Sequence, residues 1–231
     1  VSAHNLKTIN CLVGGSPCKG GSGLNQNREG LAHNESKLFY EYVRILAEIR
    51  EYNPDVKFLL ENVRGNLKFV NEITKVLGVR PIRLNSSLVS AQNRPRLYWT
   101  NIPVNTLPAK KNITTKDVFD NEMPEHLLVT EGRRKWIEGL SGKNSVDKGY
   151  TRINPYPKSG CITANGHRKW NENYIFKEGQ YRYLSVRELE KLQTLPEGYC
   201  DGLPYNEAYD LIGDGWTIDI VAHILKHMKL G

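Results

Sequence analysis

Ile9-Asn10-Cys11-Leu12-Val13-Gly14-Gly15-Ser16-Pro17-Cys18 is the stretch from which the rest of the chain is most easily read. Its apolar run over 9–15 is cut off by two glycines, which predicts a short buried strand ending in a tight turn. From Ser36 to Tyr52, the residues Leu38, Phe39, Tyr42, Val43, Ile45, Leu46 and Ile49 recur at helical spacing. That spacing predicts a helix, with Asn34 as a candidate cap and Pro54 as its stop. Val56 to Leu60 reads as a second buried strand running into Glu61-Asn62-Val63, and Leu67 to Leu77 as a second helix stopped by Gly78. Strand, helix, strand, helix implies an α/β fold with a parallel sheet. Two more strand-like runs, Pro81 to Val89 and Arg96 to Ile102, are close enough to form an antiparallel pair at the sheet edge.

Between Pro103 and Tyr181 the periodicity gives way to Pro, Gly, Asn and charged residues, with only short candidates such as a helix over Arg133 to Leu140. Regular structure returns at Ser185, where Ser185-Val186-Arg187-Glu188 has the spacing of a capping box ahead of Leu189 and Leu192. A last helix is expected from about Thr217 to Met228. The expected division is therefore 1–102, a small inserted domain over 103–181, and a return to the first domain over 182–231.

No apolar run approaches the roughly 18 residues needed to cross a bilayer, and no targeting segment is evident. Four cysteines in 231 residues have neither the density of a disulfide scaffold nor the paired spacing of a zinc site, which fits a reducing cytoplasmic or nuclear setting. His223 and His227 have the spacing of two metal ligands on a helix but no nearby third, and no metal is expected. Lys and Arg outnumber Asp and Glu by 32 to 25, for a net charge of +7. The excess is concentrated between His126 and Trp170, where nine Lys and Arg face three acids. Such a field suits a polyanion such as DNA, although a solvated basic face has the same composition. Cys18 follows a predicted strand at the carboxyl edge where doubly wound sheets bind ligands; taken alone, its default reading is a buried structural cysteine. Cys11, Cys161 and Cys200 are expected to be structural, and Tyr98 and Trp99 to be core.

Five short segments in order resemble the cytosine-5 DNA methyltransferase family: Gly14-Gly15-Ser16-Pro17-Cys18, Glu61-Asn62-Val63, Gln92-Asn93-Arg94-Pro95-Arg96, Ser185 to Gln193, and Gly213-Asp214-Gly215-Trp216-Thr217. The Gly215-Trp216 pair is closer to the de novo eukaryotic-type enzymes and their phage relatives than to the common bacterial modification enzymes. The resemblance implies a Rossmann-like methyltransferase sheet interrupted by a DNA-recognition domain, S-adenosylmethionine as cofactor and double-stranded DNA as partner. It implies that Cys18 adds to carbon 6 of a flipped cytosine. Glu61 would act as a protonated acid at ring nitrogen 3, its proton retained through burial. Arg96, and more loosely Arg94, would bind the cytosine carbonyl, and Asn62 would hold backbone geometry. Pro17, Asp214, Gly215 and Trp216 would contact the cofactor. Ser22, in the glycine-rich loop after Cys18, and Arg133, Arg134, Arg168 and Lys169, in the basic stretch, would contact DNA.

The sequence departs from the family in one large respect. The glycine-rich cofactor turn and the ribose-binding acid precede the Pro-Cys motif in the family, and only thirteen residues stand ahead of Gly14. That implies at least two absent βα units, on the order of 60 residues. The chain is accordingly expected to be a fragment, one of two chains that complete a site, or an inactive DNA-binding accessory or remnant of the same fold.

Overall fold

The computed structural model describes residues 9–16, 38–139, 152–154, 157–169 and 172–229. By packing, the chain forms two units. The first comprises Val1–Leu84, Pro95–Leu107 and His223–Gly231, and the second Asn85–Arg94 and Pro108–Ala222.

The first unit holds a four-stranded sheet in the order β1 (Cys11–Gly15), β2 (Lys57–Val63), β4 (Pro95–Thr100), β3 (Ile82–Asn85). β1 and β2 run parallel, while β2 and β4 run antiparallel. The five central residues of β2 are buried, as a strand covered on both faces requires. α1 (Leu38–Tyr52) turns Phe39, Tyr42, Leu46 and Ile49 inward. α2 (Leu67–Leu77) turns in Phe69, Ile73 and Leu77. Both helices close on Phe58, Leu60, Leu97 and Trp99 to make one apolar core. α2 starts where the Asn66 side chain accepts from the Phe69 amide, and ends at Gly78, whose φ of 71° is the left-handed cap that glycine adopts without cost. Asn101 laces the end of β4 to β2, donating to the Val56 carbonyl and accepting from the Phe58 amide.

The strand expected over Pro81 to Val89 stops at Asn85. There the asparagine side chain accepts from the amides of Ser87 and Arg94, and a single 3-10 turn, Ser86–Leu88, follows. The cap expected at Asn34 lies outside the described residues.

The second unit contains α3 (Thr115–Val118), α4 (Glu131–Ile137), α5 (Val186–Leu192), α6 (Tyr205–Asp214), most of α7 (Ile218–Leu225) and a three-stranded sheet, β5 (Arg152–Asn154), β6 (Asn173–Lys177), β7 (Gln180–Arg182). β6 and β7 form a hairpin whose turn, Glu178-Gly179, has φ values of 50° and 79°. Ile162, Ile175, Leu184, Leu189, Leu192, Tyr209 and Ile212 belong to its core. The capping box at Ser185 is present. Its Glu188 also takes two 2.8 Å bonds from the guanidinium of Arg182, a residue with no solvent exposure. Among the described residues no helix is long and apolar enough to cross a membrane.

Candidate active site

The parallel register sets Gly15 of β1 beside Glu61 of β2, and the antiparallel register sets Val63 of β2 opposite Arg96 of β4. Residues two apart on a strand share a face, so Glu61 and Arg96 are diagonal neighbours on one face of the sheet. Their side chains meet there, with Glu61 Oε1 3.0 Å from Arg96 Nε and the two side chains 12% and 14% exposed. Arg96 also donates through Nη1 to the Pro95 carbonyl.

Asn62 points to the opposite face, where its Nδ2 donates to Ser16 Oγ at 3.0 Å and to the Ser16 carbonyl at 3.2 Å. The backbone leaving β1 is thus fixed two residues before Cys18. Gly14 allows α1 to lie close on β1, since a Cβ there would come within 3.0 Å of the Tyr42 ring. Pro17, Cys18 and Ser22 lie outside the described residues. The arrangement offers a paired carboxylate and guanidinium, shielded from most solvent, at the carboxyl end of a parallel strand. A planar heterocycle with both donor and acceptor edges suits such a pair.

The structure brings Glu61 and Arg96 together and commits Arg94 differently. Arg94 is buried in the second unit, donating to the carbonyls of Ile162 (2.7 Å), Gly215 (2.8 Å) and Gly213 (3.3 Å) and to Cys161 Sγ (3.2 Å). Gly213 is packed so closely that a Cβ would come within 2.4 Å of the Thr163 backbone. Asp214 is exposed at the end of α6 and Trp216 is half-buried. Gly215 caps the helix, and its carbonyl also accepts from Gln193.

The basic residues divide in the same way. Arg133 is buried, bonded to the Lys169 carbonyl and the Tyr174 hydroxyl and stacked over Tyr183. Arg134 lies between Glu131 and Glu138. Lys169 donates to Ala164 and Thr163 of its own loop. Arg168 is exposed, its Nε bonded to the neighbouring His167 ring at 2.9 Å. Sequence reasoning passed over His167 and Asp210, whose Nδ1 and Oδ1 approach to 3.4 Å. Tyr98, Trp99 and Cys200 are buried, and Cys11 and Cys161 are half-buried. His223 and His227 both reach Thr106, and no metal-ligating cluster occurs among the described residues.

The sequence profile of the C-5 cytosine-specific DNA methylases matches residues 1–99 and 82–230. The chain belongs to that family. Type II methyltransferase M.FnuDI of Fusobacterium nucleatum is 26% identical over 99% of this chain and 79% of its own length. Among solved structures, the Entamoeba histolytica methyltransferase EhMeth superposes with a TM-score of 0.70 at 14% identity, covering 94% of this chain and 76% of its own. A Spodoptera frugiperda DNMT2 mutant gives 0.67 at 16% identity, covering 95% and 79%. These two likenesses establish the mixed α/β methyltransferase fold. Within this member of the family, Glu61 and Asn62 lie on opposite faces of β2, one toward Arg96 and one toward Ser16.

Proposed function

We propose that the chain carries the catalytic and DNA-reading residues of a DNA cytosine-5 methyltransferase, which moves a methyl group from S-adenosylmethionine to carbon 5 of a cytosine flipped out of duplex DNA. The observation that supports this reading most is the Glu61–Arg96 pair on adjacent strands beside the end of β1, where the chain leads to Cys18. Carbon 5 of cytosine is a poor nucleophile until a thiolate adds to carbon 6, and Cys18 is the proposed thiolate. Addition drives electron density toward ring nitrogen 3 and the carbonyl. Before the base arrives Glu61 and Arg96 hold each other in place; with the base bound, Glu61 takes up a proton and donates to the nitrogen while Arg96 donates to the carbonyl. Once carbon 5 has taken the methyl group, a base removes its proton, the ring double bond re-forms and the bond to Cys18 breaks, releasing the thiolate. Asn62 serves as a positioning residue, tying Ser16 so that the segment holding Cys18 leaves the sheet at a fixed point.

S-adenosylmethionine, when bound, supplies the electrophilic methyl group. The residues at the closing motif fit part of that ligand: Trp216 offers a half-buried ring and Asp214 an exposed carboxylate. Gly215 keeps its turn clear, since a Cβ there would lie 3.2 Å from the Leu211 carbonyl. Pro17 is proposed as a further contact. The comparisons give no support to a second chain completing the cofactor site. Base flipping costs a few kcal/mol, and DNA contacts from the basic residues of the second unit would offset it. The test is transfer of a radiolabelled methyl group to duplex DNA, followed by identification of the modified base. Label in 5-methylcytosine supports the reading; label in any other base, or none with DNA bound, overturns it.

A further inference from the structure

The segment Thr163–Lys169 of the second unit packs against α6 and is tied back on itself. Asn165 adopts a left-handed φ of 59° and donates its amide to Asp210 Oδ1 at 2.6 Å. Gly166 lies so close to α6 that a Cβ would meet the Tyr209 ring at 2.6 Å and Glu172 Oε2 at 2.4 Å. Lys169 donates back to the Ala164 carbonyl, and Arg133 donates to the Lys169 carbonyl. Asp210, His167 and Arg168 form a chain across this frame. Arg168 Nε donates to His167 Nε2 at 2.9 Å. Arginine carries no acceptor, so Nε2 must accept and the imidazole proton must sit on Nδ1. Nδ1 has no hydrogen-bond partner of normal length, and the Asp210 carboxylate is the acceptor it faces at 3.4 Å.

The His167 side chain is 7% exposed, edge-on to the rings of Tyr209 and Tyr205. Burial, reinforced by the Arg168 cation and opposed by Asp210, lowers its pKa, which favours the neutral ring this contact needs. The plane of the Arg168 guanidinium is thereby fixed through Nε. No acceptor among the described residues is bonded to its two terminal nitrogens. An exposed guanidinium held in this way presents a fork that loses little freedom on binding a pair of acceptors.

We propose that Asp210 and His167 are positioning residues that aim the two terminal nitrogens of Arg168 at a two-acceptor edge of bound DNA, a phosphate or the O6/N7 edge of guanine. The inference rests on the reading of the chain as a DNA methyltransferase and deepens it, because neither Asp210 nor His167 belongs to the segments that carry the family resemblance.

Binding of the full chain to fluorescein-labelled duplex DNA of mixed sequence, followed by anisotropy over a range of salt, tests it. Arg168→Ala is expected to bind roughly ten-fold more weakly. His167→Ala and Asp210→Ala are expected to lose roughly three-fold each, and nothing further when Arg168 is already alanine. His167→Gln, whose amide can accept from Arg168 and donate to Asp210, should recover most of the loss. A merely structural role would give equal losses in both backgrounds and no recovery. A phosphate partner predicts that Arg168→Ala lowers the salt slope by about one. A guanine partner predicts an unchanged slope and loss of a guanine preference in duplexes selected from a randomised pool. The inference is overturned if Arg168→Ala binds as the parent does, or if His167→Ala costs the same with and without Arg168. If the parent methylates DNA in either case, the methyltransferase reading stands alone; if the parent neither binds nor methylates DNA, both fall.

Discussion

Glu61 Oε1 lies 3.0 Å from Arg96 Nε across two antiparallel strands, with both side chains almost enclosed. Exposed ion pairs contribute little, but one this shielded holds both groups in a single geometry before any ligand arrives. Glu61→Gln keeps the shape and removes the charge and the acid. The expected outcome is a loss of methyl transfer of about a hundred-fold or more, with DNA affinity close to that of the parent. Single-turnover methylation and anisotropy, measured side by side, check it.

Arg94 and Arg96 stand two residues apart and should fail in different ways. Arg94 satisfies the carbonyls of Ile162, Gly213 and Gly215, so Arg94→Ala strands several buried acceptors. Its expected cost is about 3 kcal/mol or more of unfolding free energy, read from urea denaturation. Arg94→Lys should recover less than half of that, because an ammonium cannot span the same acceptors. Arg96→Lys should unfold close to the parent and lose activity instead.

Gly213 has no room for a methyl group. Its Cβ would come within 2.4 Å of the Thr163 carbonyl carbon and 2.5 Å of the Ala164 nitrogen, atoms of the backbone that cannot turn aside. Gly213→Ala is expected to destabilise the chain by about 1–3 kcal/mol or more. Thermal unfolding of this variant beside Gly132→Ala, where a Cβ meets nothing, separates the packing effect from the loss of a glycine.

Glu172 is 3% exposed, and burial, only partly offset by bonds from the Asn173 amide and side chain, pushes its carboxyl up to about 7. The unfolded value is near 4.5. A carboxyl raised in the folded state stabilises fully below the unfolded value, and that contribution is lost as pH climbs through the folded one. Unfolding free energy is therefore expected to fall between about pH 4.5 and 7, by on the order of 3 kcal/mol at most. Glu172→Gln keeps an acceptor for Asn173 and should flatten this part of the profile, making the variant the more stable protein at pH 8. Urea midpoints across the pH range decide it, and equal slopes for the two proteins would count against the assignment.

The first unit was legible because its signals are local. Pro54 and Gly78 mark helix ends, and α2 begins and ends where periodicity places it. Ser185 and Glu188 announce α5 by spacing alone. The small sheet was not legible: β5 has three residues, and β6 is recognised through a partner twenty-one residues away in sequence, Arg152 beside Asn173. The hairpin left one sign, Glu178-Gly179, a pair suited to positive φ, and α6 left another in Pro204 ahead of Ala208, Tyr209 and Ile212.

At the site, the family resemblance implied Glu61 and Arg96, but counting charge could not separate their kind from Arg133 and Arg134. Arg133 is spent on Lys169 and Tyr174, and Arg134 on two glutamates, and only three-dimensional placement reveals it. His167 and Asp210 are separated by more than forty residues, so no local pattern joins them. Cys18, Pro17 and Ser22 fall outside the described residues.

Covalent trapping asks whether Cys18 is the nucleophile. The chain is incubated with S-adenosylmethionine and duplex DNA carrying 5-fluorocytosine, in which fluorine blocks the final elimination, alongside Cys18→Ser and Glu61→Gln. The expected result is a denaturant-stable protein–DNA adduct in the parent, mapped to Cys18, absent in Cys18→Ser and strongly reduced in Glu61→Gln. An adduct that persists in Cys18→Ser, or no adduct from a parent that binds the DNA, would contradict it.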